Sequence, residues 1–121
     1  MILADTSVWI NHLRHGDEHL ESILYKGKVM GHAHIIGELA CGNIKNRKEI
    51  LSFLQALPMV PLIEFNEYRF FIDEHDLNGK GIGFVDIHLL ASAKLAQVKL
   101  WTEDKRLNTA AIKLGVNYKK R

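Results

Sequence analysis

Four short runs of strand-forming residues, Ile2–Ala4, Val29–Met30, 59–63 and 98–102, recur along the chain with longer amphipathic stretches between them. Parallel strands need crossovers of a dozen residues or more, usually helical, and a strand with no polar position is covered on both faces. The spacing therefore predicts an α/β protein in three layers, α/β/α, around a central parallel sheet of about four to five strands. With 121 residues, only two prolines and no repeat or low-complexity stretch, residues 1–121 read as a single domain. Dividing the chain would leave each half at a size where a core becomes marginal.

The stretches between the runs carry helical periodicity. Over residues 45–57, Ile50, Leu51, Phe53, Leu54 and Leu57 recur at three- and four-residue steps, which predicts an amphipathic helix stopped by Pro58. Residues 64–77 repeat the pattern through Tyr68, Phe71 and Ile72 and leave at Asn78-Gly79. Residues 86–97 are nearly all apolar, with Asp86 as the only early charge, which predicts a helix buried on more than one side.

Several classes are excluded. The single cysteine, Cys41, permits no internal disulfide, and no Cys-x-x-Cys pair exists to hold a structural zinc. No stretch approaches the roughly 20 uncharged residues that span a bilayer. The first residues show no basic segment or small-residue cleavage site, so a secretory signal is not expected and a cytoplasmic location is. Charge is uneven: residues 1–80 carry a balance of −3 and residues 81–121 a balance of +5. Lys94, Lys99, Lys105, Arg106, Lys113 and the tail Lys119-Lys120-Arg121 could therefore form a surface for a polyanion, or a solvated helix face with a frayed end.

The informative residues are acids at the ends of apolar elements. Asp5 follows Ile2-Leu3-Ala4 and precedes Thr6-Ser7, which suit a turn or a helix opening. Asp104 stands in the same relation to Leu100-Trp101-Thr102. The carboxyl ends of strands in an open parallel sheet are where ligands bind, so both acids are expected to face one crevice. Glu38, in a helix after the second strand, and Asp86, in the first turn of the most apolar helix, are expected at the same rim. Each acid taken singly also fits a helix cap or a solvated surface charge. Four carboxylates so close repel one another strongly unless cations lie between them. Oxygen-only ligands suit Mg²⁺ or Mn²⁺, which acidify bound water and stabilise charge on a phosphodiester under attack. Ser7 and Thr102 are placed to orient Asp5 and Asp104.

The seven histidines offer no such convergence. His32 and His34 are expected to share a strand face without a third ligand, and His12, His15 and His19 to lie at exposed helix or loop positions. Glu103, Asp17, Glu18 and Asp76 read as surface residues. No Gly-x-Ser-x-Gly elbow supports a serine nucleophile. Trp9, Ile10 and Leu13 beside Ile23, Leu24 and Tyr25 could form an apolar patch for a partner, or core.

Together, Asp5-Thr6-Ser7-Val8-Trp9, Gly37-Glu38-Leu39, Gly83-Phe84-Val85-Asp86 with Leu89-Leu90-Ala91-Ser92-Ala93, and Trp101-Thr102-Glu103-Asp104 resemble a PIN domain, nearest the VapC toxins of bacterial and archaeal toxin–antitoxin pairs. The resemblance spans essentially the whole chain and implies a three-layer α/β/α, Mg²⁺- or Mn²⁺-dependent endoribonuclease. Residue by residue it implies an acidic quartet of Asp5, Glu38, Asp86 and Asp104 as catalytic and metal-binding groups, supported by Thr6, Ser7 and Thr102. The fourth acid is the least constant part of the pattern, and Glu103 adjoins Asp104. A tRNA or ribosomal RNA substrate, a cognate VapB-like antitoxin and a homodimer are further implications. Attack by water implies 5′-phosphate and 3′-hydroxyl ends. RNA is expected to be gripped by Lys and Arg of the last third, with Lys80 and Arg106 near the groove. The alternatives are a PIN-like nuclease of RNA processing and an adapter that binds RNA or protein without catalysis. A phospho-acceptor signalling module also clusters acids at strand ends, but it expects the acceptor after a central strand and a lysine after the last.

Overall fold

Ile2, Leu3 and Ala4 form β1 (Ile2–Ala4), and all three side chains are buried. Successive side chains in a strand point to opposite faces, so this burial requires helices on both sides of the sheet. The computed structural model describes residues 1–120; Arg121, the end of the basic tail, lies outside them. In it β1 is the central strand, paired in parallel with β2 (Val29–Met30) on one side and β3 (Lys99–Trp101) on the other. Helices α1 (Thr6–His15) and α2 (Glu18–Tyr25) connect β1 to β2. Helices α3 (Ala33–Ala40), α4 (Arg47–Gln55), α5 (Phe65–Glu74) and α6 (Phe84–Ala96) lead to β3, and α7 (Lys105–Leu114) follows it. A parallel sheet flanked by helices is the expected α/β/α architecture.

Among the described residues the sheet holds three strands rather than four or five. Residues 59–63 do not form a strand: one parallel bridge joins Gly31 to Met59, through Gly31 N–H to the Pro58 carbonyl (2.7 Å) and Val60 N–H to the Gly31 carbonyl (2.8 Å). The ladder stops there because β2 itself ends: His32 is already the N-cap of α3, and no extended partner remains. A second bridge, Leu100 to Asn117, marks the other edge. Five strand positions exist, and the outer two are reduced to single bridges.

Helix boundaries shift for local reasons. The helix expected from residue 45 starts at Arg47, and Phe53 on it is exposed while Leu54 is buried. Helix α5 ends at Glu74, and Asp76, with φ of 52°, breaks the chain away before Asn78-Gly79. Helix α6 begins two residues ahead of Asp86 and buries seven consecutive residues, Ile87 to Ala93. Helix α7 ends on Gly115 in the left-handed region (φ 73°), whose N–H bonds the carbonyls of Ala111 and Ile112. No atom would crowd a Cβ there, so Gly115→Ala isolates the conformational cost. It is expected to lower unfolding stability by about 1 kcal/mol in a denaturant melt.

Of the six apolar residues weighed as a patch near the N-terminus, Trp9 and Ile23 belong to the core, whereas Ile10 and Tyr25 are exposed. Among the described residues no helix is long and apolar enough to cross a membrane.

Candidate active site

Two of the four acids sit where a strand hands over to a helix, and both cap that helix. Asp5 follows β1, caps α1 through Oδ1 on the Val8 N–H (3.1 Å), and its own N–H bonds the Trp101 carbonyl of β3 (3.0 Å). Asp104 follows β3 and caps α7 through Oδ1 on the Leu107 N–H (2.9 Å). Since β1 and β3 are adjacent and parallel, both acids emerge at the carboxyl edge of the sheet.

The hydroxyls bind these acids directly. Ser7 Oγ donates to Asp5 Oδ1 (2.6 Å) and accepts from the Glu103 N–H (3.1 Å), joining the two strand ends. Thr102 Oγ1 accepts the Asp104 N–H (3.0 Å), and its hydroxyl near Asp5 favours the ionised form of that carboxyl. Thr6 Oγ1 donates to Glu38 Oε1 (2.5 Å), tying α3 to the first turn of α1 across 32 residues of sequence. Asp5 is buried; desolvation raises its pKa, and the bonds from Ser7, Thr102 and Val8 act against that rise.

Asp86 completes the group from the first turn of α6. It is half-buried and has no hydrogen-bond or ion-pair partner among the described residues. Burial pushes its carboxyl up to about 6, and the negative charges of Asp5, Glu38 and Asp104 push in the same direction. The structure thus brings all four expected acids within electrostatic reach of one point. Glu103 turns elsewhere: Oε2 accepts the Trp101 indole N–H (3.3 Å).

As they stand, no three His, Cys, Asp or Glu side chains among the described residues are drawn tightly enough to hold an ion. Glu38 and Asp104 are engaged by Thr6 and by the Leu107 N–H. The donor set nevertheless fits a hard divalent cation: every group is an oxygen donor, and one half-buried carboxylate lacks any counter-charge.

His15 is exposed as expected, whereas His12, His19, His32 and His34 differ from expectation, the first two half-buried and the last two at the start of α3 rather than on a strand. His32 is fully buried; its Nδ1 accepts the His34 N–H (3.1 Å) as the cap of α3, and its Nε2 lies 3.1 Å from Ser92 Oγ. His88 is buried on α6 against Tyr68, with ring centroids 4.2 Å apart. His19 is half-buried, 2.6 Å from the Tyr118 hydroxyl. Asp17 caps α2 rather than standing free on the surface.

A family model, the PIN domain, matches residues 2–113. Ribonuclease VapC32 of Mycobacterium tuberculosis, in strains CDC 1551 and H37Rv, is 42% identical over 117 residues, covering 96% of this chain and 94% of the relative. The crystal structure of PAE2754 from Pyrobaculum aerophilum superposes with a TM-score of 0.61 at 16% identity, covering 94% of both chains, a likeness of fold.

Proposed function

The chain belongs to the PIN domain family and is a VapC-type endoribonuclease toxin, and on that premise we propose that Asp5, Glu38, Asp86 and Asp104 hold Mg²⁺ or Mn²⁺ and carry the hydrolysis of RNA. The observation that carries the proposal is Asp86: an unpaired, half-buried carboxylate facing three other acids. A divalent cation held there lowers the pKa of a water molecule and offsets the charge that builds on the phosphate oxygens.

The chain's own groups supply position. Ser7 fixes the Asp5 carboxylate, Thr102 holds the Asp104 backbone, Thr6 fixes Glu38, and the caps of α1 and α7 lock Asp5 and Asp104 to the edge of the sheet. With water as nucleophile the products carry 5′-phosphate and 3′-hydroxyl ends. The 42% identity to a named VapC ribonuclease does not favour an RNA-processing nuclease or a non-catalytic adapter.

The same reading assigns a tRNA or ribosomal RNA substrate, action in the cytoplasm, a VapB-like antitoxin and pairing with a second copy. Exposed Phe70 on α5 and Leu95 on α6, beside an apolar groove, support an interface of that kind.

The fourth acid is separable by two isosteric changes. Asn caps helices as well as Asp, so Asp104→Asn keeps α7 while removing the charge. It is expected to reduce cleavage about tenfold or more in a single-turnover assay. Glu103→Gln, whose carboxylate serves the Trp101 indole, is expected to cleave within about twofold of the native rate. The reverse ranking assigns the site to Glu103.

A further inference from the structure

A cavity of about 420 Å³ lies between the segment following α5 and helix α7. Leu77, Ile82 and Leu114 give it an apolar floor, and Lys80, Arg106 and Lys113 stand around it. Asp76 is its one carboxylate and His75 its remaining titratable group, so the lining is positive. His75 Nε2 lies 3.5 Å from Glu74 Oε1, and among the described residues none of the three cations has a carboxylate partner.

The cavity is lined by residues that neighbour two of the four acids along the chain. Arg106 is two residues beyond Asp104 on α7, and the chain from Lys80 through Ile82 runs directly into α6 and Asp86. Lys113, nine residues beyond Asp104, stands about 13 Å further along the helix. The Arg106 side chain lies against the backbone of Gly81. Gly81 has φ of 76°, and a Cβ there would collide with the guanidinium and meet Arg106 Cδ and Cζ at 3.1 Å. Only glycine lets the arginine lie along this turn.

We propose that this cavity takes a nucleotide of single-stranded RNA next to the scissile phosphate, with its base on the apolar floor and the flanking phosphates on Lys80, Arg106 and Lys113. The inference rests on the nuclease reading above. Unpaired bases are splayed into pockets and held by apolar and stacking contacts, while lysine and arginine track the backbone. A duplex hides its bases and gains nothing from the floor. An acidic peptide would satisfy the cations, but continuity with Asp86 and Asp104 favours the polymer those acids act on.

The test compares full-length variants with matched charge loss. Lys80→Gln/Arg106→Gln removes two cations at the cavity; Lys26→Gln/Lys28→Gln removes two at the amino end of β2, remote from the acids. Thr109→Trp fills the cavity from an exposed position without changing charge. The cavity double variant is expected to raise KM about tenfold or more with kcat kept within about threefold, whereas the β2 pair leaves KM near native. Thr109→Trp raises KM by about tenfold. In an Asp86→Asn background, binding of a short fluorescein-labelled single-stranded RNA is measured across a salt series. The cavity double variant is expected to lower the log–log slope by about 1.4.

Native cleavage with KM and slope unchanged in both cavity variants overturns the inference and leaves the nuclease reading standing. Retained RNA binding with loss of binding to an oligoglutamate peptide overturns it in favour of a protein partner. A native chain that neither cuts nor binds RNA fails the nuclease reading, and the inference with it.

Discussion

Asp86→Asn is expected to abolish RNA cleavage and, in the metal-free protein, to raise the melting temperature. The two effects have one cause. The Asp86 carboxyl is raised from 3.8 to about 6 by burial and by the charges of Asp5, Glu38 and Asp104, so its ionised form is disfavoured in the folded state. A carboxyl whose folded pKa lies above its unfolded value leaves stability intact below about pH 4 and removes it as pH rises through about 6. At pH 7.5 the full penalty is present. Because the group is half-exposed, the relief from Asn is expected to be of the order of 1 kcal/mol, less than the shift alone implies. That corresponds to a rise of about 3–5 °C for a domain of this size. Cleavage is expected to fall by about three orders of magnitude, the several kcal/mol associated with charge stabilisation at a metal-assisted phosphodiester. A site built for stability would lose stability when altered; gaining it while losing activity marks a group held against its preference. Full activity in Asp86→Asn, or a lower melting temperature at pH 7.5, contradicts this account.

The second large effect is acid sensitivity at His32. The ring is fully buried, its Nδ1 accepts the His34 N–H as the cap of α3, and Nε2–H therefore donates to Ser92 Oγ, which donates in turn to the Pro61 carbonyl (3.2 Å). Protonating Nδ1 breaks the cap. Burial, with His34 and His88 nearby, lowers the His32 pKa from 6.5 to about 4. For a base with a depressed folded pKa, stability is complete above about pH 6.5 and is lost as pH falls through the window to about 4. The shift corresponds to about 3 kcal/mol across that window. His88, also lowered by burial, adds in the same direction, and Asp86 opposes it as it protonates. His32→Asn keeps a capping acceptor and removes the titration. Its stability at pH 7.5 is expected to be lower, through loss of the Ser92 contact, and its decline between pH 6.5 and 4 to be flatter than native. Equal slopes in urea melts of the two proteins would assign the acid response to other groups.

These two sites differ in how far the sequence announced them. Asp5 and Asp104 stood out because each ends a run with no other reason for a charge, and a short buried strand followed by a capping residue leaves the chain few ways to turn. Asp86 was legible as the only early charge on an otherwise apolar helix, although the helix begins two residues sooner. Glu38 was placed by its small neighbours, but the bond that orients it comes from Thr6, 32 residues away, and no local pattern encodes such a pairing. That the Glu103 carboxylate accepts the Trp101 indole N–H is likewise visible only in the coordinates. His32 and His34 read as neighbours on a strand face, whereas β2 stops at Met30 and a histidine cap at His32 starts α3. The same passage from a two-residue strand into α3 leaves residues 59–63 a single bridge to pair with. Local preference identified the elements, and tertiary competition set their ends.

The central claim is that four acids at the carboxyl edge of this sheet cut RNA with a divalent cation. Its most direct test is incubation of antitoxin-free protein with total bacterial RNA in Mg²⁺, in Mn²⁺ and in excess EDTA, with cut sites and end chemistry mapped and Asp5→Asn as the control. The account predicts discrete cuts bearing 5′-phosphate and 3′-hydroxyl ends, dependent on the added metal and absent from the variant. Cleavage that persists in EDTA, leaves 2′,3′-cyclic phosphates or survives Asp5→Asn would contradict it.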